Sequence, residues 1–287
     1  MNEFKYTVII PHHNTPDLLN RCISSIPLRS DVEVIVVDDN SDDEKQPSVK
    51  RVDVKVIYIS SEESRGAGHA RNVGIENAHG KWILFSDADD YYADNTFDVL
   101  DSKIGSDIDV LYFDVFGKDK RATMYQEYFS NYLNTGDDTH VRFHIWTPWN
   151  KVISHRLIID NQLRFEEVPV GNDAIFALNV SKLAQKYAII PEKLYCLTDN
   201  EGSITYKKPT FDRLFAYMKV QMKINRFFEP MGLDVKFGHR LFSIGSIKHI
   251  YKDYGLIKAI QYLTYVSFHY GLWHSYMFNK EMKKINQ

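Results

Sequence analysis

Two apolar runs near the start of this chain end in paired aspartates. Val32-Glu33-Val34-Ile35-Val36-Val37 leads into Asp38-Asp39-Asn40-Ser41, and Trp82-Ile83-Leu84-Phe85 leads into Ser86-Asp87-Ala88-Asp89-Asp90. A run this continuously apolar cannot face water on one side, so each belongs to a strand covered on both faces. Two carboxylates two residues apart at the end of such a strand reach the same side of the sheet edge, where they can hold a divalent cation and the diphosphate it neutralises. Alone, either cluster reads as a solvated turn or a helix start, because acidic residues gather there anyway. Two strands ending in this way point instead to one crevice outside the carboxyl ends of an open α/β sheet.

The surrounding pattern supports that sheet. Tyr6 to Pro11 reads as a first strand, Asp17 to Ile26 as a helix, Val54 to Ile59 as a third strand, and Ala67 to Asn77 as a helix stopped by Gly80. The fold class is therefore α/β, with a largely parallel central sheet flanked by helices. After about residue 115 the rhythm is less regular. Trp146 to Lys151 breaks the chain before a short helix near Ser154 to Asp160, Ala174 to Ala184 reads as helix, and Tyr187 to Leu197 as short strands around a turn at Pro191. Beyond Pro209 three helical segments follow, Phe211 to Phe228, Arg240 to Tyr251 and Leu256 to Phe278. The expected division is an α/β domain over 1–206, in two halves at about 1–115 and about 116–206, and a helical appendage over 207–287.

Charge divides the chain at the same place. The net charge is −3, but 207–287 holds 14 Lys/Arg against 5 Asp/Glu while 1–206 carries −12. The appendage also has 16 of the 39 aromatic residues. A basic, aromatic region suits an anionic membrane surface, with Leu256 to Phe278 lying in the interface and Lys280, Lys283 and Lys284 closing the chain. A helical subdomain packed on the rest of the protein, or on a second copy in a homo-oligomer, is the competing reading. Nucleic acid is not expected, since neither an aromatic RNA-binding signature nor a helix-turn-helix pattern is present. Cys22 and Cys196 are the two cysteines, so no disulfide framework or zinc cage is indicated. With no leader and no apolar run of spanning length, the expected location is the cytoplasm, with peripheral attachment to the membrane face.

Six stretches in order resemble the family 2 inverting glycosyltransferases with the GT-A fold. They are Val8-Ile9-Ile10-Pro11-His12-His13-Asn14, Val36-Val37-Asp38-Asp39-Asn40-Ser41, Gly66-Ala67-Gly68-His69-Ala70-Arg71-Asn72-Val73-Gly74, Phe85-Ser86-Asp87-Ala88-Asp89-Asp90, Trp149-Asn150-Lys151 and Gly171-Asn172-Asp173. The resemblance implies a metal-dependent transferase moving a hexosyl or N-acetylhexosaminyl group from a nucleoside-diphosphate sugar, UDP above others, to a saccharide or lipid-linked saccharide in surface polysaccharide synthesis. It implies a donor pocket from Pro11, His12, Asn14, Asp39, Arg71, Asp87 and Ala88, with Asp39 accepting from the uracil ring N–H. By the same resemblance Asp89 ligates Mn²⁺ or Mg²⁺, oxygen being the right donor for these hard cations. Asp173 is the implied base that takes the acceptor hydroxyl's proton; capping the helix from Ala174 is its other reading. Trp149 would lie under the acceptor side, unless it is a core tryptophan. Many relatives carry Glu-Asp where this chain has Asn172-Asp173, which puts acceptor contacts in question and leaves a silent nucleotide-sugar-binding subunit as the alternative. A sugar nucleotidyltransferase fits less well, because Pro11 to Asn14 is not a glycine-rich phosphate loop.

Overall fold

The computed structural model describes residues 4–199, 208–233, 237–238, 241 and 243–271. The chain divides into two compact units, one of Met1–Val168 with Asn172–Tyr206 and one of Pro169–Gly171 with Lys207–Gln287.

The first unit is built on one eight-stranded sheet. Its strands are β1 (Tyr6–His12), β2 (Val32–Asp39), β3 (Val54–Ile59), β4 (Trp82–Phe85), β5 (Tyr91–Tyr92), β6 (Val110–Gly117), β7 (Lys151–Ser154) and β8 (Tyr187–Leu197), in the order β3-β2-β1-β4-β7-β6-β8-β5. β1 to β4 pair in parallel, β7 lies antiparallel between β4 and β6, β8 runs parallel to β6, and β5 runs antiparallel to β8. Six of the eight strands therefore point one way, which is the largely parallel sheet expected. Helices α1 (Pro16–Ser24), α2 (Ala67–Glu76), α3 (Thr96–Lys103), α4 (Lys120–Thr135), α5 (Thr139–Phe143), α6 (His155–Asp160) and α7 (Ala174–Leu183) complete the unit.

The uninterrupted apolar runs behave as their composition requires. Every residue of β1, β2 and β4 is buried, and Val8, Ile10, Val34, Val36, Ile83 and Leu84 are fully so. Each such side chain contributes about 1.5–3 kcal/mol on burial. Register sets the functional edge: His12 of β1 lies beside Asp38 of β2, and Ile9 of β1 beside Phe85 of β4, so three carboxyl ends finish together. Because β7 runs the other way, with Val152 beside Leu84, its amino end and the preceding Trp149-Asn150 reach the same edge.

Some details differ from the sequence reading. No strand is expected at β5 or β6, and β7 falls in the stretch that lacks a clear rhythm. Tyr187 to Leu197 is a single strand, not several; its pairing with β6 shifts register between Ile190 and Lys193, so Pro191 sits in an irregularity where a missing N–H costs no ladder bond.

The second unit contains α8 (Phe211–Phe228), α9 (Ile244–Tyr254) and α10 (Leu256–His269). Its core joins Phe211, Met218, Met222, Leu241, Ile250, Ala259, Tyr262 and Val266. Among the described residues no helix is long and apolar enough to cross a membrane. The expected continuation of the last helix to Phe278, the lysines at 280, 283 and 284, and Ser203-Ile204-Thr205 lie outside the described residues.

Candidate active site

The turn after β1 is held by its own polar groups. His12 Nδ1 lies 2.7 Å from Asp38 Oδ1, and His12 Nε2 accepts from the Thr15 N–H at 3.2 Å, so Nδ1 carries the proton and donates. Ser41 donates to the same Asp38 carboxylate from Oγ and from its backbone N–H. The His12 side chain is fully buried with both ring nitrogens engaged, and it fastens the β1 and β2 ends to each other. Pro11 is likewise buried in β1. Asn14 takes a positive φ of 59°, receives the Asp42 N–H on Oδ1 and donates its own N–H to Ser41 Oγ. Asp39 differs from Asp38. Its Oδ2 accepts from the Gly66 N–H at 2.8 Å, while Oδ1 is buried without a partner among the described residues. A buried acceptor without a donor is costly, so this oxygen is available to a donor from outside the chain.

After β4, the chain turns so that Asp87, Asp89 and Asp90 offer carboxylate oxygens all within 4.8 Å of one another. Ala88 is buried beneath them. The turn is fixed from below: the Asp87 N–H donates to the Tyr195 hydroxyl at 2.9 Å, and the Thr198 N–H donates to Asp90 Oδ1 at 2.8 Å. Burial, then the charge of Asp87, raises Asp89 above the ordinary carboxylate range. Burial and then the charges of Asp87 and Asp89 push Asp90 up to about 8. Three carboxylates crowded in this way form an oxygen donor set suited to a hard divalent cation, whose charge relieves their repulsion. The residues present fit Mn²⁺ or Mg²⁺.

Arg71, on α2, joins this cluster to the loop before α7. Its guanidinium donates to Asp87 Oδ1 at 2.6 Å and to Asn172 Oδ1 at 2.9 Å, and it lies 5.3 Å from the Phe165 ring centroid. α2 approaches that loop closely enough that a Cβ at Gly68 would lie 2.1 Å from the Glu166 carbonyl oxygen, so only glycine fits. Asn72 clamps the loop by exchanging two hydrogen bonds with the Phe165 backbone. Asp173 occupies the N-cap position of α7, yet its side chain makes no capping bond, so the carboxylate is not spent on the helix. Burial raises Asp173, the positive charge of Arg71 opposes this, and Asp87 adds to it.

Trp149 is 1% exposed and stacks on Tyr195 with ring centroids 5.3 Å apart. It packs in the core beneath the edge, the second of the two readings its motif offered. Its neighbour Lys151 was quoted in the motif without a role. Fully buried, Lys151 Nζ donates to Ile145 O, Thr147 O and Asn150 Oδ1 at 2.6–3.0 Å. Burial pushes its ammonium down to about 7. Three acceptors nevertheless need three N–H bonds, which only the protonated form has, so the geometry favours the ammonium. Lys151→Met should leave three oxygens without a donor. At about 1–3 kcal/mol each, and offset by the relieved desolvation of the charge, the net loss is about 3 kcal/mol. Thermal unfolding should then show a midpoint lower by about 6–12 °C; an unchanged midpoint would rule out this clamp. Lys151, Asp90, Tyr195 and Thr198 have no role assigned from the sequence. The first two stand inside quoted motifs, and the other two stand in Tyr195-Cys196-Leu197-Thr198, where this chain departs from the residues usual in the resembled family.

A cleft of about 740 Å³ lined by His79, Lys81, Trp82, Ser154, His155 and Arg156 opens at the other edge of the sheet and holds none of these carboxylates.

Residues 7–155 match the family model described as glycosyl transferase family 2. The chain belongs to this family. The match takes in the motifs from Val8 to Lys151, while Asp173 lies beyond it. As a family 2 glycosyltransferase it is 28% identical over 223 residues to "Glycosyltransferase GlyA" of Streptococcus pneumoniae, a match covering 70% of this chain and 31% of that one. It is 27% identical over 209 residues to "Poly(ribitol-phosphate) beta-N-acetylglucosaminyltransferase TarS" of Staphylococcus aureus, covering 69% of this chain and 36% of that one. The chain thus spans about a third of the length of these two relatives. The crystal structure of S. aureus TarS 1-349 in complex with UDP-GlcNAc superposes with a TM-score of 0.65 at 24% identity, over 78% of this chain and 66% of that one. The family 2 glycosyltransferase described here accordingly has a GT-A type fold with a helical C-terminal region.

Proposed function

We propose that this chain is a metal-dependent, inverting glycosyltransferase that moves a sugar from a nucleoside-diphosphate donor, UDP above others, to a saccharide or lipid-linked saccharide hydroxyl in surface polysaccharide synthesis. The observation that carries it is the acidic triad at the sheet edge, tied through Arg71 to the loop that delivers Asp173.

Asp39 Oδ1, buried without a partner, is the acceptor for the ring N–H of uracil. Asn14 and Pro11 shape the turn beside it. Asp89, with Asp87 and Asp90, would hold Mn²⁺ or Mg²⁺, which when bound stabilises charge on the departing diphosphate. Arg71 steadies Asp87 and the acceptor loop at once, so donor and acceptor sites share one positioning residue. Asp173 removes the acceptor hydroxyl proton as that oxygen bonds to the anomeric carbon and the bond to the diphosphate oxygen breaks on the opposite face. Burial makes Asp173 a stronger base than an exposed carboxylate, which suits the task. The UDP-GlcNAc bound by TarS and the polymer named for that relative support the donor class and the polysaccharide setting.

The test is UDP release from UDP-glucose, UDP-galactose and their N-acetylated forms, offered with mixed oligosaccharide acceptors and Mn²⁺. Release from at least one donor, abolished by EDTA, is expected. Tight donor binding with no release on any acceptor would favour the silent-subunit reading.

A further inference from the structure

The outer face of α10 is apolar and exposed. Leu256, Ile257, Ile260 and Phe268 are 61%, 80%, 53% and 86% exposed, and they fall on one side of the helix at 3.6 residues per turn. Between them stand only Gln261, Thr264 and Ser267, so the face carries no charge. The opposite side, Ala259, Tyr262 and Val266, is buried in the core of the unit, which fixes the helix with the apolar face outward.

Cations line one border of that face. Positions 258, 265 and 269 share a third side of the helix. Lys258 itself stands there, 4.6 Å from the Phe211 ring centroid; Lys219 of α8 lies 5.1 Å from the Tyr265 ring centroid; and Arg226 of α8 donates to the His269 carbonyl. The carboxylates of the unit among the described residues are Asp212, Glu229 and Asp253, and Asp253 is already paired with Lys208 at 3.0 Å.

We infer that this face is a docking surface for an anionic lipid bilayer, with Ile257, Ile260 and Phe268 entering the acyl boundary and the row of Lys258, Lys219 and Arg226 at headgroup level. An uncharged apolar stripe bordered by cations is the pattern of a helix that lies in an interface. Long cationic side chains can bury their stems and leave their heads among phosphates. A second copy of the chain is the other natural occupant of an apolar face. Charge disfavours it, because residues 207–287 hold 14 Lys/Arg against 5 Asp/Glu and pairing two such regions brings like charges together. The inference stands apart from the catalytic assignment.

The experiment is flotation of the full chain with vesicles of phosphatidylcholine alone and of phosphatidylcholine mixed with an equal part of phosphatidylglycerol. Co-flotation with the mixed vesicles, weakened by added salt, is expected. The triple variant Ile257→Ser, Ile260→Ser, Phe268→Ser should bind at least about tenfold more weakly. Ile257→Ser alone, at the most accessible isoleucine of the face, gives a smaller loss in the same direction should the triple variant fold poorly. Light scattering of each protein without vesicles reports the second-copy occupant. Absence of flotation, equal binding to both vesicle types, undiminished binding by the variants, or a dimer that the variants dissolve would each overturn the inference.

Discussion

Asp173→Asn is expected to bind the nucleotide donor as the parent does and to transfer sugar at least about a hundredfold more slowly. The substitution keeps shape and removes one negative charge. Fold should survive it, because the Asp173 side chain makes no capping bond to α7 and the helix does not depend on its carboxylate. The charge faces Arg71 as well, but its chemical task lies where a proton must leave the acceptor hydroxyl. The pH dependence has a definite sign. A base works when ionised, and burial raises Asp173, so the acid limb of the rate profile should lie above the ordinary carboxylate range and activity should climb as pH rises through it. Initial rates and donor titrations on both proteins check this. An undiminished rate in Asp173→Asn would remove the residue from the mechanism.

The second large effect is expected from Asp89→Ala, which should lose the donor binding that depends on Mn²⁺. Asp87, Asp89 and Asp90 crowd their oxygens within 4.8 Å, and this repulsion is what a cation relieves. Without Asp89, both the donor set and the repulsion shrink. Stability in the absence of metal should therefore hold or rise slightly in the variant, because a buried acid that resists ionisation has been removed. Calorimetric titration of UDP into the variant, with Mn²⁺ and with EDTA, separates these effects. An undiminished Mn²⁺ dependence would place the cation elsewhere.

The two acidic strand ends were legible because the apolar runs feeding them fix both burial and direction, and parallel pairing then brings their ends to one edge. β5, β6 and β7 were not. β5 has two residues and β7 four, too short for a period, and β6 mixes aromatic and polar residues in a stretch that could equally be helix. At the site, the carboxylates were readable as residue types, but their partners were not. Arg71 reaches Asn172 across 101 positions, and Tyr195 supports Asp87 across 108, separations that local patterns do not encode. His12 and Trp149 show the converse limit. Both stand in motifs at the functional edge, yet each is consumed by the framework: His12 by Asp38 and Thr15, Trp149 by its stack on Tyr195. A motif marks the neighbourhood, and only packing decides which of its side chains remain open to a ligand.

The most direct test of the donor site is thermal unfolding of the intact protein with UDP, GDP, dTDP and CDP, each with and without Mn²⁺. A ligand at about 100 times its Kd adds roughly 2.7 kcal/mol, enough to move the midpoint by several degrees. The account predicts a shift for UDP that requires Mn²⁺. No shift for any nucleotide, or a UDP shift indifferent to the metal, would contradict it.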